Sequence, residues 1–185
     1  MQNNILERIP APLLFWYAQN KRTLAWRCEP TPYHVWVSEI MLQQTRVEAA
    51  KAHYIRFMQT LPTVFDLAAC EDETLMKLWE GLGYYSRVRN LQKAARVIMT
   101  EYDGVFPSDY KAMLSLPGIG EYTAGAIGSV CFDLPEPAVD GNVLRIISRI
   151  TENYNNILSP VMKKEITQIL RNIYPSGELA YLFNQ

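Results

Sequence analysis

LSLPGIGEYTAGAIGSVCFDLPEPAVDGN, residues 114–142, is the stretch from which the rest of the chain can be interpreted. The segment PGIG at 117–120 interrupts a helical pattern, and a second helix is predicted from Glu121. Two glycines one residue apart allow a tight turn and the close approach of a partner. The helix that follows begins with free N–H groups and a positive dipole end, which suit a phosphate oxygen. The segment DGN at 140–142 then places a carboxylate at the start of another helix.

A phosphate-binding turn followed by a positioned carboxylate indicates a DNA-processing enzyme. The glycine pair alone is equally compatible with a helix–turn–helix of no function. The glycines do not form Gly-x-Gly-x-x-Gly after a strand, so the sequence does not support a dinucleotide-binding fold.

Composition bounds the class of protein. The chain has 185 residues, 49% of them hydrophobic, enough for one domain or two small ones with a real core. No apolar run reaches the roughly 18 residues of a membrane span, and the N-terminus lacks the pattern of a secretory signal. We therefore expect a cytoplasmic protein that is not secreted and has no membrane partner. Cys28, Cys70 and Cys131 are too far apart for a metal motif or a disulfide framework.

Charge is distributed unevenly along the chain. The formal net charge is −1, but residues 77–99 carry five basic side chains and one acid, Glu80. A local basic face can bind phosphates even when the total charge is near zero. An ordinary solvated helix face is the equally acceptable alternative. The basic residues are Lys77, Arg87, Arg89, Lys93 and Arg96.

The periodicity of apolar residues predicts an all-α protein of nine or ten helices without a strand. A helix over 34–49 places Glu39 and Gln43 on one face, next to Gln44. The carboxyl of Glu39, between apolar neighbours, is then either exposed by rotation or partly desolvated with a raised pKa. Other helices are predicted over 11–20, 50–60, 72–80 (capped by Asp72), 86–99, 108–116 (capped by Ser108), 121–131, 141–151 (capped by Asp140) and from Pro160, with the start of another at 178–185.

Two predicted loops separate these helices. Residues 21–34 contain Trp26 and Arg27 among turn residues, and residues 81–85 contain two glycines and two tyrosines. The second loop can approach a partner closely and present rings, although one of Tyr84 and Tyr85 is expected to be a core aromatic. The helix over 121–131 is rich in small residues, so another segment is expected to pack close to it.

Four segments together resemble one family. They are VSEIMLQQTRV at 37–47, WEGLGYYSRVRNL at 79–91, LPGIGEYTAGAI at 116–127 and EPAVDGNVLRIISR at 136–149. They are similar to MutY-type adenine DNA glycosylases, of the helix–hairpin–helix superfamily that includes endonuclease III. The resemblance extends from about Trp16 to the last residue. It implies that the chain acts on double-stranded DNA and removes adenine mispaired with 8-oxoguanine or guanine, the first step of base excision repair.

The resemblance also implies an architecture. Residues 22–133 would form a six-helix barrel that carries the helix–hairpin–helix at 108–131. Residues 1–21 and 134–185 would form a second helical domain, truncated here, with the active site in the cleft between the two.

The chemistry of the reaction agrees with the carboxylates. Adenine leaves readily only when protonated, and the enzyme must flip the base out of the duplex to reach it. The resemblance implies Glu39 as the general acid, Asp140 as the group that stabilises or transiently bonds the sugar, and Tyr122 and Asn142 in support. Bifunctional relatives have a nucleophilic lysine at the position of Tyr122. We therefore expect cleavage of the glycosidic bond without a committed strand-cutting step.

Binding roles follow from the same resemblance. Gln44 and Tyr84 match residues that insert into the duplex. Gly118 and Gly120 match the phosphate-binding hairpin, whose backbone carbonyls at 116–120 often hold a monovalent cation in this superfamily. No side-chain metal ligand is implied. The residues that match the adenine pocket are Trp26, Arg27, Leu42, Val47 and Gln185.

The family normally continues beyond residue 185, with a four-cysteine iron–sulfur motif and a domain that recognises 8-oxoguanine. Cys28, Cys70 and Cys131 lack that spacing, so no cofactor is expected in this chain. We expect a fragment with weak turnover, whose apolar stripes at 146, 150, 166, 169 and 173 are partly uncovered. Two alternatives remain: a thymine–guanine mismatch glycosylase of the same superfamily, and a non-catalytic DNA-binding helix–hairpin–helix module.

Overall fold

The computed structural model describes residues 3–175 and 180–185, and over these residues the protein is all-helical, as predicted. None of the helices in this part of the chain is both long and apolar enough to cross a bilayer. The predicted helix at 178–185 is helical from Ala180, and Glu178 and Leu179 lie outside the described residues. The helices are α1 Asn3–Glu7, α2 Pro10–Asn20, α3 Ala25–Cys28, α4 Pro32–Leu42, α5 Val47–Thr60, α6 Val64–Ala69, α7 Asp72–Leu78, α8 Ser86–Glu101, α9 Tyr110–Ser115, α10 Glu121–Phe132, α11 Gly141–Ile150, α12 Pro160–Asn172 and α13 Ala180–Phe183.

These thirteen helices of the described segments exceed the nine or ten predicted. The additional ones, such as α1 and α3, have four or five residues, which is too short to show a helical period in the sequence. The predicted loop at 21–34 was therefore wrong in part, because α3 carries Trp26 and Arg27.

Helix ends differ from the prediction at several positions, and the caps of two helices and the end of one are the informative differences. Glu71, without a side-chain bond, precedes α7 where Asp72 was expected as the cap. The Asp109 carboxylate, not Ser108, caps α9 by accepting the Ala112 N–H at 2.9 Å. The helix predicted over 34–49 ends at Leu42, because the backbone leaves the helical region at Gln43, with a ψ of 113°, and Gln44 follows with a φ of 57°.

The chain divides into two compact units, one of residues 23–123 and one of residues 1–22 with 124–185. The predicted domain boundaries at 21/22 and 133/134, the barrel and the truncation of the second domain stay predictions.

Helix α8 organises the core of residues 23–123. Its predicted stripe, Val88, Leu91, Ala95 and Ile98, is almost fully buried. The helix packs against α4 and α6. This packing fixes the two connections that flank α4 and α8, at 43–46 and at 79–85.

The core of the other unit joins distant parts of the sequence. Leu6 of α1 packs with apolar side chains of α11 and α12. The apolar stripes of this unit were expected to be partly exposed. Ile146 is indeed 50% exposed, but Ile166 is only 3% exposed. The cluster comprises Leu6, Val139, Leu144, Ile147, Met162, Ile166 and Leu170.

The segment that packs close to α10 is residues 134–138 of the same chain. A Cβ at Gly125 would lie 2.9 Å from the Pro137 carbonyl oxygen, and one at Gly128 would lie 3.2 Å from the Leu134 side chain. The Leu134 N–H also donates to the Gly128 carbonyl at 3.0 Å. The small residues of α10 therefore admit the segment that leads directly to Asp140.

Candidate functional site

Asp140 occupies the N-terminus of α11, as predicted, and its carboxylate accepts three hydrogen bonds. The main-chain N–H groups of Asn142 and Val143 donate to Oδ1 at 2.9 and 2.8 Å. The Asn142 side-chain amide donates to Oδ2 at 3.0 Å, and Arg145 in turn donates to the Asn142 amide oxygen at 3.2 Å. An ionised carboxylate only accepts hydrogen bonds, and all three contacts supply donors. The structure thus brings two of the predicted catalytic residues, Asp140 and Asn142, into direct contact.

The segment before Asp140 is held by Asn184, a residue that sequence reasoning missed. The Asn184 Oδ1 accepts the Ala138 N–H at 3.0 Å, and its Nδ2 donates to the Glu136 carbonyl at 2.9 Å and the Ser129 hydroxyl at 2.7 Å. Arg171 adds an ion pair to the Glu136 carboxylate at 2.6 Å. These contacts fix the approach of the chain to Asp140 from α10, α12 and the residue after α13.

Glu39 lies in the last turn and a half of α4, and its side chain is half-buried. The residues on either side of it, Ser38 and Ile40, are buried, so α4 is held firmly in the core of residues 23–123. The Thr31 side chain caps the start of this helix by accepting the His34 N–H at 3.2 Å. Glu39 and Asp140 belong to different units, so their joint action stays a prediction.

The two hairpin glycines have different environments. Gly118 has a φ of 80°, and a Cβ there would lie 2.8 Å from the Asn90 Cβ. The turn is closed by the Ile119 N–H, which donates to the Leu116 carbonyl at 3.1 Å. Gly120 is exposed, and a Cβ there would meet nothing within 4 Å. Gly118 is therefore needed by the fold, whereas the space beside Gly120 is open to a ligand at the start of α10.

Tyr122 is the second residue of α10 and is half-buried. No lysine lies between the start of the hairpin at Leu116 and Tyr122. The hairpin therefore supplies no amine nucleophile from its own sequence.

Gln44 and Tyr84, the two residues predicted to enter the duplex, share an unusual backbone. Both are exposed, and both have positive φ, 57° at Gln44 and 46° at Tyr84. Left-handed backbone costs a residue with a side chain about 1–2 kcal/mol, so surrounding contacts must hold it. The expectation that Tyr84 or Tyr85 is a core aromatic was wrong, since they are 64% and 38% exposed.

The contacts that hold both segments come from Arg87. Its Nη1 donates to the carbonyls of Ile40, Met41 and Gln43 at 2.9, 3.2 and 2.5 Å. Its Nη2 donates to the carbonyls of Leu82 and Gly83 at 2.9 and 3.2 Å. The guanidinium also lies over the rings of Trp79 and Tyr84, at 5.4 and 5.7 Å.

Of the five basic side chains at 77–99, Arg87 is half-buried and the other four are exposed. A phosphate-binding face formed by these four stays a prediction. Arg87 points into the protein, Lys77 pairs with Glu80 at 2.6 Å, and Arg96 donates to the Ala68 carbonyl at 3.1 Å. A signal for Arg87 was present in the sequence, because it lies four residues before Leu91 and so begins the buried stripe of α8.

The residues predicted to line an adenine pocket lie in several elements. Trp26 is buried in α3 and makes an edge contact with the Tyr54 ring at 5.4 Å. Leu42 ends α4 and Val47 begins α5, and both are half-buried, as is Arg27. Gln185 accepts a hydrogen bond from the Tyr17 hydroxyl at 3.0 Å through Oε1. A common pocket of these residues stays a prediction.

The cysteines do not fit an iron–sulfur cluster. Cys28 ends α3, Cys70 follows α6 and Cys131 lies in α10. Among residues 3–175 and 180–185, no group of three or more His, Cys, Asp or Glu side chains can hold a metal ion. The monovalent cation at the hairpin carbonyls stays a prediction.

Comparisons with known proteins place the chain in a family. A model of the HhH-GPD superfamily of base excision DNA repair proteins matches residues 37–174. The adenine DNA glycosylase of Rattus norvegicus is 47% identical over 147 residues, which cover 75% of this chain and 28% of the relative. The adenine DNA glycosylase of Buchnera aphidicola subsp. Baizongia pistaciae is 37% identical over 164 residues, which cover 88% of this chain and 46% of the relative.

A solved thermostable thymine-DNA glycosylase has the same fold, with a TM-score of 0.83 and 25% identity over 98% of this chain and 85% of that one. The chain spans less than half the length of the two curated relatives. The predicted resemblance to adenine DNA glycosylases is confirmed by relatives that carry this name. The chain belongs to the HhH-GPD superfamily of base excision DNA repair proteins.

Proposed function

We propose that this chain carries the catalytic residues of an adenine DNA glycosylase for base excision repair. Its partner is double-stranded DNA that contains adenine opposite 8-oxoguanine or guanine, and its place of action is the nucleoid in the cytoplasm. The relatives named adenine DNA glycosylase support the reaction class. The observation that carries the proposal is the Asp140 carboxylate, fixed by three N–H donors at the start of α11.

The reaction requires two carboxyl groups in opposite protonation states. The enzyme flips the adenine from the duplex, and protonated Glu39 gives its proton to a ring nitrogen of the base. The bond between N9 and C1′ breaks, its electron pair stays with the adenine, and the sugar becomes oxocarbenium-like. Ionised Asp140 stabilises that positive charge, or bonds C1′ transiently. Water adds to C1′ and loses a proton, so free adenine and an abasic site result.

Asn142 and Tyr122 support this chemistry in different ways. Asn142 orients the Asp140 carboxylate through its side-chain amide and its main-chain N–H. Tyr122 stands where bifunctional relatives have a lysine, so the enzyme releases the base without forming an imine to the sugar. Efficient strand nicking by the purified protein, without heat or alkali, would contradict this.

DNA contacts are assigned to exposed backbone and side chains. Gly120 leaves room for a phosphate oxygen at the start of α10, whose N–H groups favour an anion. Gln44 and Tyr84 enter the duplex beside the flipped base. The adenine then lies against Trp26, Arg27, Leu42, Val47 and Gln185.

A thymine–guanine mismatch glycosylase is the second candidate. It is favoured by the likeness to a thymine-DNA glycosylase at a TM-score of 0.83. Its 25% identity is well below the 37% and 47% of the adenine enzymes, so adenine remains the better substrate assignment.

The test is single-turnover excision on three duplexes, which hold adenine opposite 8-oxoguanine, adenine opposite guanine and thymine opposite guanine. Asp140→Asn is the matched variant, because asparagine retains an oxygen that can cap α11 but removes the negative charge. We expect slow release of adenine by the unmodified chain, as for a fragment with weak turnover, and a further loss of about a hundredfold or more in the variant.

Each other outcome has a definite meaning. Release of thymine instead of adenine would establish the second candidate. Adenine release that survives in Asp140→Asn would remove Asp140 from the mechanism. Absence of release from every duplex, together with binding that ignores the mismatch, would favour a non-catalytic DNA-binding module.

A further inference from the structure

We propose that Arg87 is a positioning residue that holds Gln44 and Tyr84 together in the backbone conformations with which they probe a mismatched duplex. The inference rests on the proposed function, and it assigns to Arg87 a role in mismatch discrimination without contact to DNA.

The contacts of Arg87 divide between its two terminal nitrogens. Among the described residues, Nη1 binds carbonyls only at the end of α4, and Nη2 binds carbonyls only in the loop at 81–85. The carbonyls of the last turn of a helix have no partner within the helix, so those of Ile40 and Met41 are available to a side chain. One rigid planar group therefore fixes the distance between two segments that are far apart in sequence.

Each segment carries its probing residue immediately after the carbonyls that Arg87 binds. Gln43, whose carbonyl accepts from Nη1, precedes Gln44, and Gly83, whose carbonyl accepts from Nη2, precedes Tyr84. A carbonyl fixed at one residue restrains the peptide plane that leads into the next. Because φ is measured from that preceding peptide plane, the two fixed planes help to hold the positive φ of Gln44 and of Tyr84.

Neighbouring groups reinforce the arrangement from both sides. The Trp79 indole donates to the Gly83 carbonyl at 3.1 Å, and the Leu82 N–H donates to the Trp79 carbonyl at 3.1 Å. Arg87 lies over the Trp79 and Tyr84 rings, so the exposed Tyr84 ring has a defined direction. The Nε–H of Arg87 has no hydrogen-bond partner in the described segments. The two Nη atoms therefore make all the hydrogen bonds of this side chain that join the segments.

Lysine is the informative replacement. Arg87→Lys retains the positive charge, so nonspecific attraction to DNA is preserved, but a single ammonium cannot bind both groups of carbonyls. Arg89→Lys is the matched control, because Arg89 is an exposed arginine on the same helix. Gln92→Met controls for lost stability, because Gln92 is also a buried side chain of α8 that binds carbonyls, those of Leu67 and Cys70.

The first measurement is hydrogen exchange of the main-chain amides of residues 43–46 and 82–87 by mass spectrometry. We expect Arg87→Lys to speed exchange of both segments together, by tenfold or more. Arg89→Lys should change neither segment, and Gln92→Met should act only near residues 67–70. Faster exchange in one segment alone, or in neither, would overturn the proposal.

The second measurement compares Kd for a matched duplex with Kd for a duplex that holds a non-hydrolysable fluorinated adenosine opposite 8-oxoguanine. We expect Arg87→Lys to lower the preference for the mismatch by tenfold or more, with unchanged affinity for matched DNA. If the unmodified chain shows a preference that Arg87→Lys retains despite faster exchange, the proposal is overturned. If the unmodified chain shows no preference, the assignment of Gln44 and Tyr84 to mismatch recognition fails and the role of Arg87 in discrimination with it, whereas the excision experiment still decides the proposed function.

Discussion

Asn142 contacts Asp140 through two independent donors, its main-chain N–H to Oδ1 at 2.9 Å and its side-chain Nδ2 to Oδ2 at 3.0 Å. Substitution of the Asn142 side chain by alanine removes only the hydrogen bond from Nδ2 to Oδ2. Asn142→Ala is therefore expected to keep α11 capped but to slow adenine excision by about ten- to a hundredfold, since a hydrogen bond to a charged group contributes about 1.5–3 kcal/mol. Single-turnover kinetics measure this. Arg145→Ala is the control, because Arg145 reaches Asp140 only through Asn142, and its effect should be smaller.

Alanine substitutions at the two hairpin glycines should have opposite consequences. Gly118→Ala places a Cβ against Asn90 at a φ of 80°, so we expect a loss of about 1–3 kcal/mol in the free energy of unfolding. Gly120→Ala has open space and should leave that free energy unchanged, but should weaken DNA binding. Urea denaturation and fluorescence anisotropy with a labelled duplex separate the two effects. Equal destabilisation by both variants would contradict the assignment.

The Gln44→Gly variant should gain stability and lose function. Glycine adopts a φ of 57° without the cost that a side chain incurs, so we expect the free energy of unfolding to rise by up to about 1 kcal/mol. Removal of the side chain should at the same time lower the preference for mismatched over matched duplex. Thermal denaturation and duplex binding are the two measurements. A fall in stability would show that the Gln44 side chain itself supports the fold.

Asn184→Asp tests whether Asn184 stabilises the segment that leads to Asp140. Aspartate has the same shape and can still accept the Ala138 N–H, but it cannot donate to the Glu136 carbonyl as Nδ2 does. In the variant, a carboxylate oxygen would face the Glu136 carbonyl oxygen with no hydrogen between them. This should lower the free energy of unfolding by about 1–3 kcal/mol and slow excision. Tyr17→Phe is a control in the same unit, because it removes the hydrogen bond from the Tyr17 hydroxyl to Gln185 and leaves the contacts of Asn184 unchanged. Urea denaturation followed by circular dichroism should show the larger loss in Asn184→Asp.

The three thiols should react with iodoacetamide at different rates. Burial raises the pKa of the Cys131 thiol to about 12, and it also raises the pKa of Cys70, where Glu71 and Asp72 add to the effect. A raised pKa keeps the thiol protonated and unreactive, so at pH 8 about one Cys131 in ten thousand is a thiolate. We expect exposed Cys28 to be modified first and Cys131 last, and the rate at Cys131 to rise about tenfold per pH unit up to pH 11. Peptide mass spectrometry over time measures each site.

The elements that the sequence predicted well have local signals. Asp140 and Pro160 mark the starts of α11 and α12 through cap and proline preferences, and the stripe from Val88 to Ile98 marks the buried face of α8. Each signal lies within the element that it predicts. For this reason helix positions could be read from composition and spacing alone.

Three of the features that were missed, the end of α4 and the roles of Arg87 and Asn184, depend on residues far apart in sequence. Residues 43–46 contain neither glycine nor proline, so nothing local predicts that α4 ends at Leu42. Arg87 binds the carbonyls at that end from more than 40 positions away, and its charge made a surface position the natural expectation. Asn184 likewise acts on Ala138 and Glu136 across the sequence. Only the folded chain reveals such contacts.

The pairing of Leu6 with α11 and α12 sets an order of events during synthesis. All contacts within residues 23–123 are available once that contiguous segment has left the ribosome, whereas Leu6 must wait for Met162 and Leu170. At about 5–20 residues per second, translation of the intervening chain takes on the order of ten seconds. Throughout that interval the apolar side chains of α1 and α2 lack their final partners. Helices α1 and α2 are therefore made before residues 23–123 but packed after them, and they are the segment on which a chaperone would act.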